Sequence, residues 1–374
     1  MKKICFVTAA RSEYGLLKWL MEDVEKSDNL QLQLIVTGGH LLPEQGHTID
    51  QIIADGFQIS ATVDSELDSG SAGSIAVSMG NLAKEIVPAL EELAPDYLIV
   101  LGDRYELLPI CSSAFMMRIP IIHISGGDVT IGALDDGIRN AVTMLAEYHF
   151  PGTQDSADNI IRMRGCARNI WAVGEPGLDA LLREPLMTRD EIVENLHLDS
   201  NKLWVILTYH AETTENLTYN LDSVRACVDA LNHFPEIQVV ATYSNADYGG
   251  QQINQYLETA AIQNPEQFKI IPSLGSIRYL SLMKYAKFLI GNSSSGIIEA
   301  PVLHCTVINI GNRQKGRHMC SNIIQCSTAY EDIYRSIEMA LHSEVDCSDL
   351  NYWGDGHTSE KIMKILEEEI IGKQ

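Results

Sequence analysis

The chain has 374 residues, 45% of them apolar, and a formal net charge of -23 at pH 7. That length exceeds one ordinary core and calls for two domains, while the acidic excess repels nucleic acid and anionic lipid at long range, so neither is an expected partner. No segment approaches the apolar length of a membrane span, Met1-Lys2-Lys3-Ile4-Cys5 enters a strand pattern without a signal-peptide core, and eight scattered cysteines, Cys347 the last, with no C-x-x-C pair point to free thiols in the cytoplasm and no zinc site.

Ile4 to Thr8 reads as the first strand, and Ala9-Ala10-Arg11-Ser12-Glu13-Tyr14-Gly15 as the loop into the first helix. Strand, small-residue turn and helix start make a corner where free N–H groups can meet an anion. Arg11 adds a fork-shaped donor there, although an ordinary surface arginine explains it equally well. This corner lacks a G-x-G-x-x-G, so a dinucleotide cofactor is not expected. Leu32 to Thr37 is the second strand, followed by His40, either a structural histidine or a sugar contact. Asp64 to Gly73 reads as a loop and Ile75 to Leu93 as a long helix.

Pro95 to Arg139 is the stretch richest in chemistry. Tyr97 to Leu101 and Ile119 to Ile124 are apolar runs that read as buried parallel strands, with a helix from Leu107 to Met117 between them. Gly102-Asp103-Arg104 follows the first strand and Ser125-Gly126-Gly127-Asp128 the second. In open α/β sheets, ligands gather beyond the carboxyl ends of strands. Asp135, Asp136 and Arg139 open the next helix, with Asp135 and Arg139 one turn apart. Capping and surface pairing explain such acids singly, but less readily all together. Tyr148 to Phe150, a helix from Ala157 to Arg164, and a last strand from Ile170 to Val173 complete this half; Gly174-Glu175-Pro176-Gly177 marks the junction.

The second half repeats the alternation. Leu203 to Thr208 leads into His210, Gln238 to Thr242 into Asn245 and Ala246, Phe288 to Ile290 into Asn292-Ser293-Ser294-Ser295-Gly296, and Thr306 to Asn309 into Arg313, Lys315 and Arg317. A helix starting near Ile297 behind three serines suits a phosphate, and Glu299 in its first turn suits a ribose diol. An ordinary serine cap is the plainer reading of the same residues. The acidic run Glu367 to Glu369 reads as a solvated helix face.

Taken in order, ARSEYG at 10–15, GDRYE at 102–106, HISGGD at 123–128, LDDGIR at 134–139, GNSSSG-I-I-E at 291–299 and NIGNRQKGR at 309–317 resemble the hydrolysing UDP-N-acetylglucosamine 2-epimerases of sialic acid biosynthesis, from Ile4 to about Lys361. The resemblance implies an α/β GT-B fold: two Rossmann-like domains, 1–174 and 175–354, with parallel sheets facing across a cleft and a helix at 355–374 returning to the first. It implies conversion of UDP-N-acetylglucosamine and water to N-acetylmannosamine and UDP, with neither NAD nor a metal, in a homodimer. The diphosphate then falls to Ser293 and Ser294, beside Ser295, Gly296 and Asn245, with Arg11 and Arg313 as nearby cations, and the ribose to Glu299. Asp103 and Asp135 match catalytic carboxylates, His210 a histidine near the diphosphate, and Arg104 and Asp136 sugar-side positions.

Three departures stand out. Some relatives carry Glu in place of Ser125, many read Gly-Gly-Glu where this chain has Gly126-Gly127-Asp128, and Asn140 replaces a histidine. A serine cannot act as acid or base near neutral pH, so any such duty in this turn is expected to fall to Asp128, with Ser125 dispensable. The resemblance leaves room for a relative acting on a UDP-2,4-diacetamido-2,4,6-trideoxy sugar of legionaminic acid synthesis, and for a catalytically silent UDP-sugar sensor.

Overall fold

The computed structural model describes residues 1–130, 134–245, 247–342, 349 and 351–372. The chain forms two compact units: Met1–Val129, Asp135–Ala180 and Trp353–Gln374 make the first, and Thr130–Leu134 with Leu181–Tyr352 the second. Each is built on a parallel six-stranded sheet.

The first sheet contains β1 (Lys2–Thr8), β2 (Leu30–Thr37), β3 (Ala61–Val63), β4 (Tyr97–Leu101), β5 (Ile121–Ile124) and β6 (Tyr148–Phe150), in the order β3-β2-β1-β4-β5-β6. The period of two sends alternate residues to opposite faces. Ile4 and Phe6 pack with Leu17 and Met21 of the helix Arg11–Lys26, and with Ile362, Leu366 and Ile370 near the C-terminus. Cys5 and Val7 pack on the other face with Leu82, Ile86 and Ile110 from the helices Ala72–Leu93 and Leu107–Met116. Both faces are therefore covered, which is why these strands read as continuous apolar runs.

The second sheet contains β7 (Leu203–Thr208), β8 (Ile237–Ala241), β9 (Phe268–Ile270), β10 (Phe288–Gly291), β11 (Thr306–Ile310) and β12 (Ile323–Cys326), in the order β12-β11-β10-β7-β8-β9. Val205 and Leu207 face one core, Trp204 and Ile206 the other. Both sheets reverse direction next to their first strand, between β1 and β4 and between β7 and β10. A doubly wound sheet opens its crevice for ligands at that point.

Two expectations change. Ile170 to Val173 is not a strand: it follows β6 with one bridge, His149 to Ile170, although the Val173 and Gly174 amides still reach the Pro151 and Gly152 carbonyls. Pro151 has no N–H to return, so the ladder cannot continue. The strands β3, β9 and β12, of three, three and four residues, are too short to stand out in the sequence. Past Gly174, the chain stays with the first unit until Ala180. There Asp179 accepts from the Thr358 and Ser359 amides, at 2.8 and 2.7 Å, and fastens the helix Thr358–Ile365. Glu367, Glu368 and Glu369 are exposed, as expected.

Among the described cysteines, Cys5, Cys111, Cys227, Cys305, Cys320 and Cys326 are buried free thiols and Cys166 is exposed, while Cys347 lies outside the described residues, as does Ala246. No described helix is long and apolar enough to cross a membrane.

Candidate active site

The carboxyl ends of β4 and β5 bring a set of carboxylates around one buried guanidinium. Asp103 leaves β4 one residue after Gly102, and its Oδ2 accepts a hydrogen bond from Arg139. Arg139 lies on the inner face of the helix Asp135–Leu145, 1% exposed; it also donates to the Asp128 carbonyl at 2.9 Å and pairs with Asp136 at 3.7 Å. Burial opposes its charge, but Asp103, Asp128 and Asp135 outweigh burial and raise its pKa. One turn apart in the sequence, Asp135 and Arg139 read as neighbours on one helix face; in the fold Arg139 is the hub holding this acidic group.

Asp128 is buried, and its Oδ1 accepts from Ser156 at 2.6 Å. Its turn is backbone-restricted: Gly127 has φ +83°, and a Cβ there would lie 2.2 Å from the Ser156 carbonyl oxygen. His123, one of the buried groups under the turn, has its ring nitrogens 2.8 Å from the Gly102 carbonyl and 3.1 Å from Thr143 Oγ1. Burial holds its pKa down to about 4, so it is a neutral brace tying the β4 turn to the β5 strand. Asn140 donates to Asp136 at 3.3 Å.

Arg104 turns to Glu106, donating through two nitrogens at 3.2 Å each, with its guanidinium over the Tyr105 ring. Glu106 is fully buried, so Arg104 serves this carboxylate whatever else it contacts. The corner after β1 also differs from expectation. The Ala9 and Ala10 amides, expected to face an anion, donate to Glu13 Oε2 at 2.8 and 3.1 Å. Arg11 therefore remains as the cation of a corner whose leading amides are already used. His40 is structural: buried, it sits between Thr8 Oγ1 at 2.9 Å and Thr48 Oγ1 at 2.8 Å.

In the second unit, β7 and β10 are joined past their ends by Asn292, which accepts from the His210 amide at 2.7 Å and donates to its carbonyl at 2.8 Å. Such close approach requires Gly291, φ +141°, where a Cβ would lie 2.0 Å from the Thr208 carbonyl oxygen. His210 Nδ1 accepts from the Asn245 amide at 3.2 Å, which fixes the ring's tautomer and orientation. Arg313 and Gln314 both donate to the Asn292 carbonyl, at 3.4 and 2.9 Å. Buried Glu212, which the sequence reading passed over, accepts from the Asn312 amide at 3.3 Å and supports the same loop.

The helix begins at Ser295, earlier than expected, so Glu299 stands one turn inside it. Tyr279 Oη lies 2.7 Å from Ser295 Oγ, which donates to Ser293 Oγ at 2.9 Å. Burial pushes Tyr279 up to about 12, so it stays a hydroxyl. The relay Tyr279 to Ser295 to Ser293 leaves Ser293 with its own proton to donate outward, the polarity an anion needs. Ser294 caps the helix without a side-chain bond, and a Cβ at Gly296 would press Val307 at 2.9 Å. Burial raises Glu299 to about 7, opposed by its own backbone N–H and by Arg317.

Among the described residues, His318, Cys320 and Asp349 bring three potential metal ligands within 4.8 Å. His318 already bonds Asp349 at 3.0 Å and stacks on Tyr352, which accounts for the cluster without an ion.

The family model for UDP-N-acetylglucosamine 2-epimerase matches residues 22–367. The chain is 34% identical over 323 residues to the hydrolysing GDP/UDP-N,N'-diacetylbacillosamine 2-epimerase of Campylobacter jejuni, covering 86% of this chain and 84% of that protein. It is 31% identical over 370 residues to the hydrolysing UDP-N,N'-diacetylbacillosamine 2-epimerase of Legionella pneumophila, covering 98% and 96%. The fold matches UDP-GlcNAc 2-epimerase from Neisseria meningitidis bound to UDP-GlcNAc, with a TM-score of 0.81 at 16% identity over 98% and 100% of the two chains. Its paired doubly wound sheets are thus of the GT-B type. With a family model matched along most of its length and close relatives spanning nearly all of it, this chain belongs to the UDP-N-acetylglucosamine 2-epimerase family.

Proposed function

We propose that the chain is a hydrolysing 2-epimerase whose substrate is UDP-2,4-diacetamido-2,4,6-trideoxyglucose, that is, UDP-N,N'-diacetylbacillosamine. The observation carrying this is the identity of 34% and 31% to two hydrolysing relatives named for that sugar. It moves the weight away from UDP-N-acetylglucosamine and the sialic acid pathway, the sequence's first choice, toward its alternative.

C2–H of the sugar is not beside a carbonyl, so direct deprotonation is prohibitive. If the C1–O bond to UDP breaks first, positive charge at C1 acidifies C2–H; a carboxylate takes that proton and a glycal results. Water adds across the double bond, with a proton arriving at C2 on the opposite face, and free sugar of inverted C2 leaves. The leaving diphosphate calls for an electrostatic clamp and the proton transfers for carboxylates. Ser293, Ser294, Arg313 and His210 are the clamp in this reading, with Arg11 as a further cation. Asp103, Asp135 and Asp128 are the acid–base group, with Arg104 and Asp136 on the sugar side.

A homodimer is part of the proposal: Val77, Phe115 and Met116 are exposed apolar residues on the helices Ala72–Leu93 and Leu107–Met116. The direct test incubates the protein with UDP-N,N'-diacetylbacillosamine, its GDP form and UDP-N-acetylglucosamine, followed by mass analysis. Release of UDP and free 2-epimerised diacetamido sugar is expected. Preference for UDP-N-acetylglucosamine would restore the first choice, and tight UDP binding without UDP release would make the protein a sensor.

Glu299 supplies a separate expectation. A ribose diol donates to a carboxylate, so binding favours its charged form; with a free-state pKa near 7, affinity must rise as pH rises. Uridine, which has no phosphate to titrate, should bind about ten-fold tighter at pH 8 than at pH 6. Glu299→Gln should abolish that dependence in calorimetry; an unchanged pH slope would remove Glu299 from the ribose site.

A further inference from the structure

We propose that Glu175 acts through Ser125 as the proton acceptor for the water that hydrates the glycal; this rests on the hydrolysing-epimerase reading above. Ser125 follows β5 directly, at the carboxyl end of the sheet where ligands gather. It is partly exposed and has φ +56°, a left-handed conformation that non-glycine residues keep only where their surroundings fix it. Its Oγ donates to Glu175 Oε2 at 2.8 Å, across 50 positions of sequence.

Glu175 is only 4% exposed, and its amide donates to the Trp353 carbonyl at 2.8 Å. Its side chain fits because position 152 is glycine: a Cβ there would lie 1.8 Å from Oε1. Three segments thus close around one carboxylate whose polar end meets a half-open serine. Burying a carboxylate is costly, and the scheme built on Asp103, Asp135 and Asp128 gives this one nothing to do.

Because the Ser125 proton is committed to Glu175, the lone pairs of its oxygen are left to accept from the open side. The hydration step then balances. The glycal C1=C2 pair takes a proton at C2 from a carboxylic acid of the Asp103 and Asp135 group, and water oxygen bonds to C1. The O–H bond of that water breaks toward Ser125 Oγ, whose own O–H breaks toward Glu175 Oε2. Glu175 later returns this proton to solvent, matching the one proton released when a UDP-sugar is hydrolysed to sugar and UDP. Ser125 touches the reacting water, and Glu175 is the positioning residue and proton acceptor behind it. This reverses the expectation from sequence that Ser125 is dispensable.

The test compares wild type, Glu175→Gln, Ser125→Ala and the double variant with UDP-N,N'-diacetylbacillosamine, following UDP, free sugar and glycal separately. Glu175→Gln keeps shape and can still accept from Ser125, but cannot take a proton. Free-sugar formation should fall about 100-fold in each single variant. Glycal should accumulate, UDP Kd should hold, and the low-pH fall of the hydration step, read as the ratio of free sugar to glycal, should disappear. The double variant should be no slower than the slower single one, as for two members of one relay. Wild-type rate and pH profile in either single variant, or losses that multiply, would overturn the proposal. A merely structural role would lower Tm and UDP affinity without glycal or a changed pH profile, and that result overturns it too. A wild-type protein that releases no UDP defeats the epimerase reading itself, whereas normal turnover in both single variants defeats only the relay.

Discussion

Asp103→Asn and Asp135→Asn should each lower turnover by at least about 100-fold, the lower end of what positioned acids and bases contribute, with UDP affinity changed far less. Asparagine keeps the size of the side chain and can still accept from Arg139, so the fold around Asp103 survives while its capacity to move a proton is lost. Asp103 is about a quarter exposed, open enough to meet a substrate, whereas Arg139 beneath it is sealed. The groups proposed for UDP lie on other segments, Ser293 to Glu299 and Arg313, so binding and chemistry should separate. UDP release under saturating substrate checks this. Near-normal turnover in either variant removes that residue from the catalytic set.

Arg139→Met should be the most damaging single change. It removes the cation shared by Asp103, Asp136 and the Asp128 carbonyl from a site 1% exposed. Breaking such a buried pair costs about 3–5 kcal/mol, because the remaining acids face one another without a counter-charge. On a domain of this size that is a fall in Tm of roughly 10 °C. Activity should be lost even at temperatures where the protein stays folded, since the carboxylates no longer have fixed positions. Arg139→Lys keeps the charge but not the planar fork, and should recover stability more than turnover. A stable Arg139→Met with normal turnover would show that the guanidinium neither holds nor orients the acids.

The strands flanking the switch point of each sheet were readable because both faces of each sheet are covered. Tyr97 to Leu101 and Leu203 to Thr208 appear in the sequence with the bounds they have in the fold. The polar groups after them were readable for the same reason, since chemistry in this architecture follows strand ends. What stayed hidden depends on contacts between distant segments. Nothing near Glu175 announces that it meets Ser125, and Asn292 attracted no notice beside three serines although it ties β7 to β10. Glu13 looked like part of an anion corner, and only the fold shows its carboxylate occupying the amides of Ala9 and Ala10. Arg139 was visible as a helix charge, but its burial under the Asp103 turn follows from the packing of its helix against β5, which periodicity alone does not give.

The central claim is an epimerisation that passes through a glycal. The most direct measurement runs the reaction with UDP-N,N'-diacetylbacillosamine in deuterated water and reads the free sugar by NMR. Inversion at C2 with one solvent deuterium on that carbon in each product molecule is the predicted result. A free sugar that keeps its C2 hydrogen, or keeps its original configuration, would contradict it.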